Sequence, residues 1–298
     1  METLTNCPVC EKSDFQEFLT VEDYTVSHQQ FQIQQCNSCR FLFTNPRPAE
    51  EEIGTYYESQ DYISHHDDAK DLMSRVYNSV RDYTIQQKIK LINTHSFQKG
   101  TLLDVGCGTG SFAQAIQGNG WAVNGTEPDS GARGVAQGRL GNQVYENIYS
   151  TELAGQQFDT ITMWHVLEHV HRLNETLEWL YAHLKPNGLL VIAVPNPESH
   201  DAAKYGTFWA AYDVPRHLYH FTKSTMKLLL GKHRFEVKKT LPMWFDSFYV
   251  SMLSTKYKDQ KIDMIDSGTT GLLSNWKGRV AGQKEINTSS IIYIIKKK

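Results

Sequence analysis

The chain has 298 residues, of which 40% are hydrophobic, 11% aromatic and 21% charged, the make-up of a globular protein with a sizeable core. Thirty basic side chains stand against 33 acidic ones, a net charge of −3, which excludes a chain built to coat nucleic acid or anionic lipid. No apolar run approaches the ~20 residues of a membrane span. The N-terminal stretch Met1-Glu2-Thr3-Leu4 lacks the basic and apolar regions of a secretory signal, so the cytoplasm is the expected compartment.

Residues 1–47 carry two Cys-x-x-Cys pairs, Cys7/Cys10 and Cys36/Cys39. A two-residue spacer lets both sulfurs of a pair face one metal from a tight turn, and four thiolates satisfy a tetrahedral Zn²⁺. Two disulfides or a redox pair are the competing readings. The missing export signal argues against the first, and a redox pair is expected alone at a helix start. With all four positions filled by protein, the expected zinc is structural. Phe15, Phe18 and Leu19, with the alternating Phe31 and Ile33, suggest short strands between the pairs.

Asn45-Pro46-Arg47-Pro48 breaks the chain and reads as a linker. Residues 48–98 then form a tyrosine-rich stretch (Tyr56, Tyr57, Tyr62) and an amphipathic helix from Asp67 to about His95. Its expected apolar stripe is Leu72, Val76, Val80, Tyr83 and Ile89.

From residue 99 to 298 strand and helix patterns alternate. Strands are expected at Leu102–Val105, Trp121–Thr126, Gln143–Tyr145, Phe158–Trp164, Leu189–Val194, Phe235–Leu241 and Ile291–Ile295. Helices are expected at Ser111–Gln117, along the Leu173, Leu177, Leu180, Leu184 stripe, and at Met226–Leu230. Such units imply an α/β fold, a parallel sheet with helices on both faces. Two segments, near 196–225 and 242–288, exceed simple connections and are expected to form a cap.

Leu102-Leu103-Asp104-Val105-Gly106-Cys107-Gly108-Thr109-Gly110 follows a strand and precedes a helix, where a glycine-rich loop holds a ligand against the helix N-terminus. The third glycine comes one residue early for a dinucleotide fingerprint, and the phosphate-loop Gly-Lys-Ser/Thr is absent. Glu127, at the end of the next strand, is placed to accept hydrogen bonds from both hydroxyls of a ribose. A nucleoside without phosphates fits this pair of features.

Asp104-Val105-Gly106-Cys107-Gly108-Thr109-Gly110, Glu127-Pro128 and Leu184-Lys185-Pro186-Asn187-Gly188 resemble the signature motifs of class I S-adenosylmethionine-dependent methyltransferases. The resemblance spans roughly 100–241 and extends to a subgroup with an N-terminal zinc ribbon and an Asn-Pro-Arg-Pro linker. It implies a Rossmann-like seven-stranded sheet, S-adenosylmethionine as cofactor and S-adenosylhomocysteine as product. It further implies that Asp104 orients the methionine amino group, that Gly106, Cys107, Gly108 and Gly110 let the backbone approach the cofactor, and that Glu127-Pro128 binds the ribose. Asn147 is placed against the adenine. Asn187 departs from the usual Lys-Pro-Gly-Gly and is expected to keep its left-handed turn.

His165-Val166-Leu167-Glu168-His169-Val170 ends a strand at the sheet edge where open α/β folds hold ligands. In a helix, His165 and His169 share one face with Glu168 beside them, and an imidazole suits a general base near neutral pH. A second metal on His165 and His169 lacks an evident third ligand, and packing histidines are the plain alternative. In the wider family Trp164 and His165 match residues lining the cofactor pocket. A Glu-His pair like Glu168-His169 resembles the base dyad of sugar C-methyltransferases. His169 is therefore the expected base, with Glu168 orienting it.

Asp213-Val214-Pro215-Arg216-His217-Leu218-Tyr219-His220-Phe221 gathers a cation, titratable rings and aromatics. The resemblance turns Arg216, His217 and His220 toward the acceptor, and a structural turn is the equal alternative. Tyr57 and Tyr62 are candidates to close over the site. The expected activity is methyl transfer to a small-molecule acceptor such as a sugar, sugar nucleotide or quinone-like metabolite, with no nucleic-acid partner. A protein acceptor, or a non-catalytic S-adenosylmethionine-binding ribbon protein, are the alternatives.

Overall fold

The computed structural model describes residues 1–57, 72–261, 264–280 and 286–298. Its larger sheet is built from seven strands. These are β4 (Thr101–Val105), β5 (Ala122–Thr126), β6 (Val144–Tyr145), β7 (Phe158–Trp164), β8 (Leu184–Pro195), β10 (Phe235–Pro242) and β11 (Ser290–Lys297). They lie in the order β10-β11-β8-β7-β4-β5-β6. Strands β6 to β8 run parallel through β5, β4 and β7, and β11 enters antiparallel beside β8. The sheet is therefore mixed rather than purely parallel.

Successive side chains of a strand point to opposite faces, and here both faces are buried. Leu102 packs with Ile89, Ile92, Phe112, Ile116 and Leu140 on one side. Leu103 packs with Leu173, Leu177, Leu180 and Leu229 on the other. The first face carries α1 (Leu72–His95), α2 (Ser111–Gly118) and α3 (Ser130–Leu140); the second carries α4 (Leu173–His183) and α6 (Lys223–Lys232). On α1 the packing side is Ile85, Ile89 and Ile92. Tyr83, expected in the apolar stripe, is instead exposed. The expected start of α1, residues 67–71, lies outside the described residues. Lys185-Pro186-Asn187-Gly188 makes no left-handed turn: it runs inside β8, and Asn187 is not among the positive-φ residues.

The smaller sheet contains β1 (Phe15–Glu22), β2 (Gln30–Cys36), β3 (Leu42–Thr44) and β9 (Tyr219–His220), in that order. Its fourth strand thus comes from the segment after β8, pairing Leu42 with His220 and Phe43 with Tyr219. The expected linker at 45–48 is packed: Asn45 and Arg47 are buried, and Arg47 donates to Tyr219 Oη and Glu2 Oε1.

Helices α5 (His200–Tyr205), α7 (Asp246–Asp259) and α8 (Met264–Val280) form the cap. Buried Asp201 holds it together, accepting from Trp209 Nε1 at 2.8 Å and from the hydroxyls of Ser274 and Ser289 at 2.6 Å each. Among the described residues no helix is long and apolar enough to cross a membrane. Because Asp201→Ala strands three buried donors, it should lower stability by about 3 kcal/mol, read as a shift in the urea midpoint; an unchanged midpoint would refute this role.

Candidate functional site

The site lies at the C-terminal ends of β4, β5 and β7, the edge where parallel strands leave their loops. Gly106 and Gly108 have φ of +67° and +55°, a region that costs other residues a Cβ clash. A Cβ on Gly106 would strike Val166 at 2.5 Å, whereas Gly108 faces open space with nothing within 4 Å. Gly110 serves packing, since a Cβ there would press on Ala136 of α3 at 3.1 Å. The Cys107 N–H is spent on the Thr126 carbonyl, and its thiol, pushed up by burial, packs toward Gly125.

Two carboxylates bracket this loop. Buried Asp104 accepts from Thr162 Oγ1 at 2.6 Å, and burial raises its pKa to about 6. Glu127 takes the Gly108 N–H at 2.9 Å and the Asp129 N–H at 3.0 Å; burial raises it as well. The carbonyls of Glu127 and Pro128 accept from Arg133. Exposed Asn147 follows β6 and turns its Oδ1 to the Tyr149 N–H. Trp164 ends β7, edge-on to Phe112, and its buried indole N–H has no hydrogen-bond partner among the described residues.

His165 adopts a left-handed backbone, φ 57°, so the chain turns sharply out of β7 into the short 3-10 turn Leu167–His169 instead of continuing as a helix. His165 and His169 consequently look in different directions. His165 stands between two carboxylates, its Nδ1 3.3 Å from Glu168 Oε1 and its Nε2 3.3 Å from Asp246 Oδ2 of the cap. Burial opposes its charge, but Asp246 and then Glu168 raise its pKa. The expected Glu168–His169 bond is absent: Glu168 bonds His165, and its Oε2 is buried with no hydrogen-bond partner among the described residues. Burial alone would raise Glu168; the bond and charge of His165, with His169 and His217 nearby, hold it low.

His169 Nδ1 lies 3.0 Å from the Arg216 carbonyl and 3.0 Å from Tyr57 Oη. A carbonyl only accepts, so this contact puts the proton on Nδ1 and leaves the lone pair on Nε2. Burial first, then the neighbouring His217, lowers the His169 pKa to about 4. The His217 ring stacks edge-on at 4.5 Å and donates through Nδ1 to the Ala211 carbonyl. One ligating atom from each of Glu168, His169 and His217 falls within 4.8 Å of the others, a group that does not include His165, the expected partner of His169.

Arg216 corrects an expectation. Rather than facing an acceptor, it is 1% exposed and its donors are consumed by Asp213, by Asp23 Oδ1 at 2.9 Å and by the Tyr56 carbonyl at 2.9 Å. His220 is likewise buried, beside Thr44 Oγ1 at 3.3 Å, and does not reach the site cluster. Tyr62 lies outside the described residues. Sequence reasoning also missed Lys88 and Asp246; a lysine inside the apolar stripe of α1 was the available signal for the first.

The cysteines of the two Cys-x-x-Cys pairs converge. Cys7 and Cys39 sulfurs are 3.5 Å apart, as are those of Cys10 and Cys36, and all four lie within 4.8 Å of one another. Zinc–sulfur bonds of ~2.3 Å in a tetrahedron put sulfurs about 3.8 Å apart, far beyond a disulfide.

A family model described as a methyltransferase domain matches residues 77–240. The chain belongs to the methyltransferase-domain family. Relatives of this domain include a ubiquinone biosynthesis O-methyltransferase of Paraburkholderia phytofirmans, 30% identical over 139 residues, 43% of this chain and 60% of the relative. The Rickettsia akari protein of that name is 28% identical over 160 residues, 51% of this chain and 63% of the relative. The chain thus spans about 60% of the length of the curated relatives it matches. Among solved structures, a Burkholderia thailandensis 1,6-didemethyltoxoflavin-N1-methyltransferase with bound 1,6-didemethyltoxoflavin and S-adenosylhomocysteine shares the fold, at TM-score 0.52 and 16% identity. That match covers 93% of this chain and 100% of the other.

Removing the Arg216 charge leaves buried Asp23 and half-buried Asp213 without it. Arg216→Met should therefore cost ~3–5 kcal/mol in denaturant unfolding, and a loss under ~1 kcal/mol would contradict the assignment.

Proposed function

We propose that this methyltransferase-family chain is a cytoplasmic S-adenosylmethionine-dependent enzyme that methylates a small-molecule acceptor, with His169 as general base. The observation that carries the reading is Asp104 and Glu127 bracketing a glycine loop whose Gly108 face is open. Backbone there accepts close approach, Glu127 offers oxygens to a ribose, and Asp104 offers one to the methionine ammonium. Trp164, His165 and Asn147 would complete the cofactor's surroundings. When bound, S-adenosylmethionine supplies an electrophilic methyl group on a sulfonium.

The protein's work is to orient the acceptor and take its proton. The Arg216 carbonyl fixes the His169 ring so that Nε2 carries the lone pair. The nearby Glu168 carboxylate favours the imidazolium that proton uptake creates. Tyr57 and His217 flank the ring and are assigned to the acceptor. The curated relatives, named for ubiquinone biosynthesis, favour a small acceptor over a protein. In the same reading residues 1–47 bind one structural zinc, 48–98 connect, and 99–298 hold cofactor and acceptor beneath the cap.

Two measurements test this. Metal analysis of the untagged chain should find one zinc, lost in Cys36→Ser; well under one zinc per chain would refute the ribbon assignment. Methyl transfer from S-adenosylmethionine should be detectable across a panel of sugar, sugar-nucleotide and quinol acceptors. His169→Gln should then lower kcat by ~10²–10⁴-fold. A base must be neutral to act, so wild-type kcat at saturation should fall as pH drops toward the His169 value of about 4. Turnover of His169→Gln within threefold of wild type would overturn the base, and no cofactor binding at all would overturn the whole reading.

A further inference from the structure

Glu168 and His169 are adjacent in the 3-10 turn after β7, and His217 arrives from the loop before β9. The two stretches are fixed to each other. The Leu218 N–H bonds the Glu168 carbonyl at 2.8 Å, and Arg216 anchors the loop through Asp23 at 2.9 Å. Each imidazole spends its Nδ1 on a backbone carbonyl, His169 on that of Arg216 at 3.0 Å and His217 on that of Ala211 at 2.9 Å. A carbonyl only accepts, so both rings keep their lone pair on Nε2. A ring anchored in this way by its second nitrogen is the form in which histidine ligates metals. Asp213 Oδ2 stands 3.9 Å from His217 Nε2, too far to bond it.

Glu168 supplies an independent sign. Its carboxylate is fully buried, Oε1 is held by His165 Nδ1 at 3.3 Å, and Oε2 has no hydrogen-bond partner among the described residues. A buried carboxylate oxygen left unmatched costs free energy, and a cation before it removes that cost. With ligating atoms of all three side chains within 4.8 Å of one another, a modest side-chain adjustment closes them on one ion at bonds of ~2.0–2.2 Å.

We infer that Glu168, His169 and His217 form a binding site for a divalent transition-metal ion of the zinc class, separate from the four cysteines. Two imidazoles and one carboxylate suit such an ion, whereas calcium and magnesium call for oxygen ligands. Three protein ligands leave a coordination position open, so this ion exchanges more readily than one enclosed by four thiolates. One consequence rests on the proposed function: the ion takes the His169 lone pair that the acceptor's proton needs, so a filled site stops methyl transfer.

The test is calorimetric titration of the full chain with zinc chloride, the zinc bound at the outset being counted by metal analysis. At saturation wild type should hold one equivalent more than Glu168→Gln and one more than His217→Gln. Near-UV circular dichroism reports whether each variant keeps its packing, and His169→Gln replaces one that does not. A variant that keeps the full wild-type count assigns the zinc to other side chains and overturns the site, leaving the methyltransferase reading untouched. Wild-type methyl transfer should fall as the last equivalent binds and return when a chelator removes it. Activity that survives a filled site leaves the ion in place and overturns the His169 base instead.

Discussion

A buried guanidinium orders much of this molecule. Arg216 reaches Asp23 in the turn between β1 and β2, Asp213 in its own loop and the Tyr56 carbonyl before α1, joining three stretches of chain that share no local sequence. An ion pair this deep is weak grounds for claiming net stability, but it penalises any arrangement that separates its members. Its consequence reaches the site through the backbone: the Arg216 carbonyl holds the His169 ring and Leu218 N–H bonds the Glu168 carbonyl. The side chain therefore anchors the turn after β1 while its own peptide unit sets the imidazole.

A second constraint is the left-handed His165. By turning the chain at the end of β7 it divides the site into two ends. Asp104, Glu127 and Trp164 lie at the glycine-loop end. Glu168, His169, His217 and Tyr57 lie at the other, and the Glu168–His165 contact bridges them. Asp246, from the cap, completes the bridge. The two ends thus meet at one imidazole held between two carboxylates.

Much of the larger sheet was legible because its signals are local. Continuous apolar runs such as Leu189–Val194 mark strands buried on both faces, and glycines in sequence after β4 mark the loop. The cysteine spacing likewise brought four sulfurs together as expected. Helix α3 was not read because three glycines in Ser130–Leu140 hide its pattern, although Asp129 does cap it through the Ala132 N–H. The site was read in part. His169, Tyr57 and His217 do meet, since each lies in a motif that drew notice by its own chemistry. Arg216 and the Glu168 pairing were misjudged, because a bare sequence does not tell which carboxylate a folded chain brings near. Asp246 and Lys88 left almost no trace, each being one polar residue in an otherwise ordinary helix.

Pairing β3 with β9 carries a consequence for biosynthesis. The two strands that close the smaller sheet, Leu42–Thr44 and Tyr219–His220, are separated by most of the larger sheet in sequence. As the chain emerges, the N-terminal strands must wait with one edge unpaired until the loop after β8 has been made. Contacts of such long sequence separation form late and slow the search for the native state. The cysteine-rich segment, synthesised ahead of the larger sheet, is thus among the last to be finished.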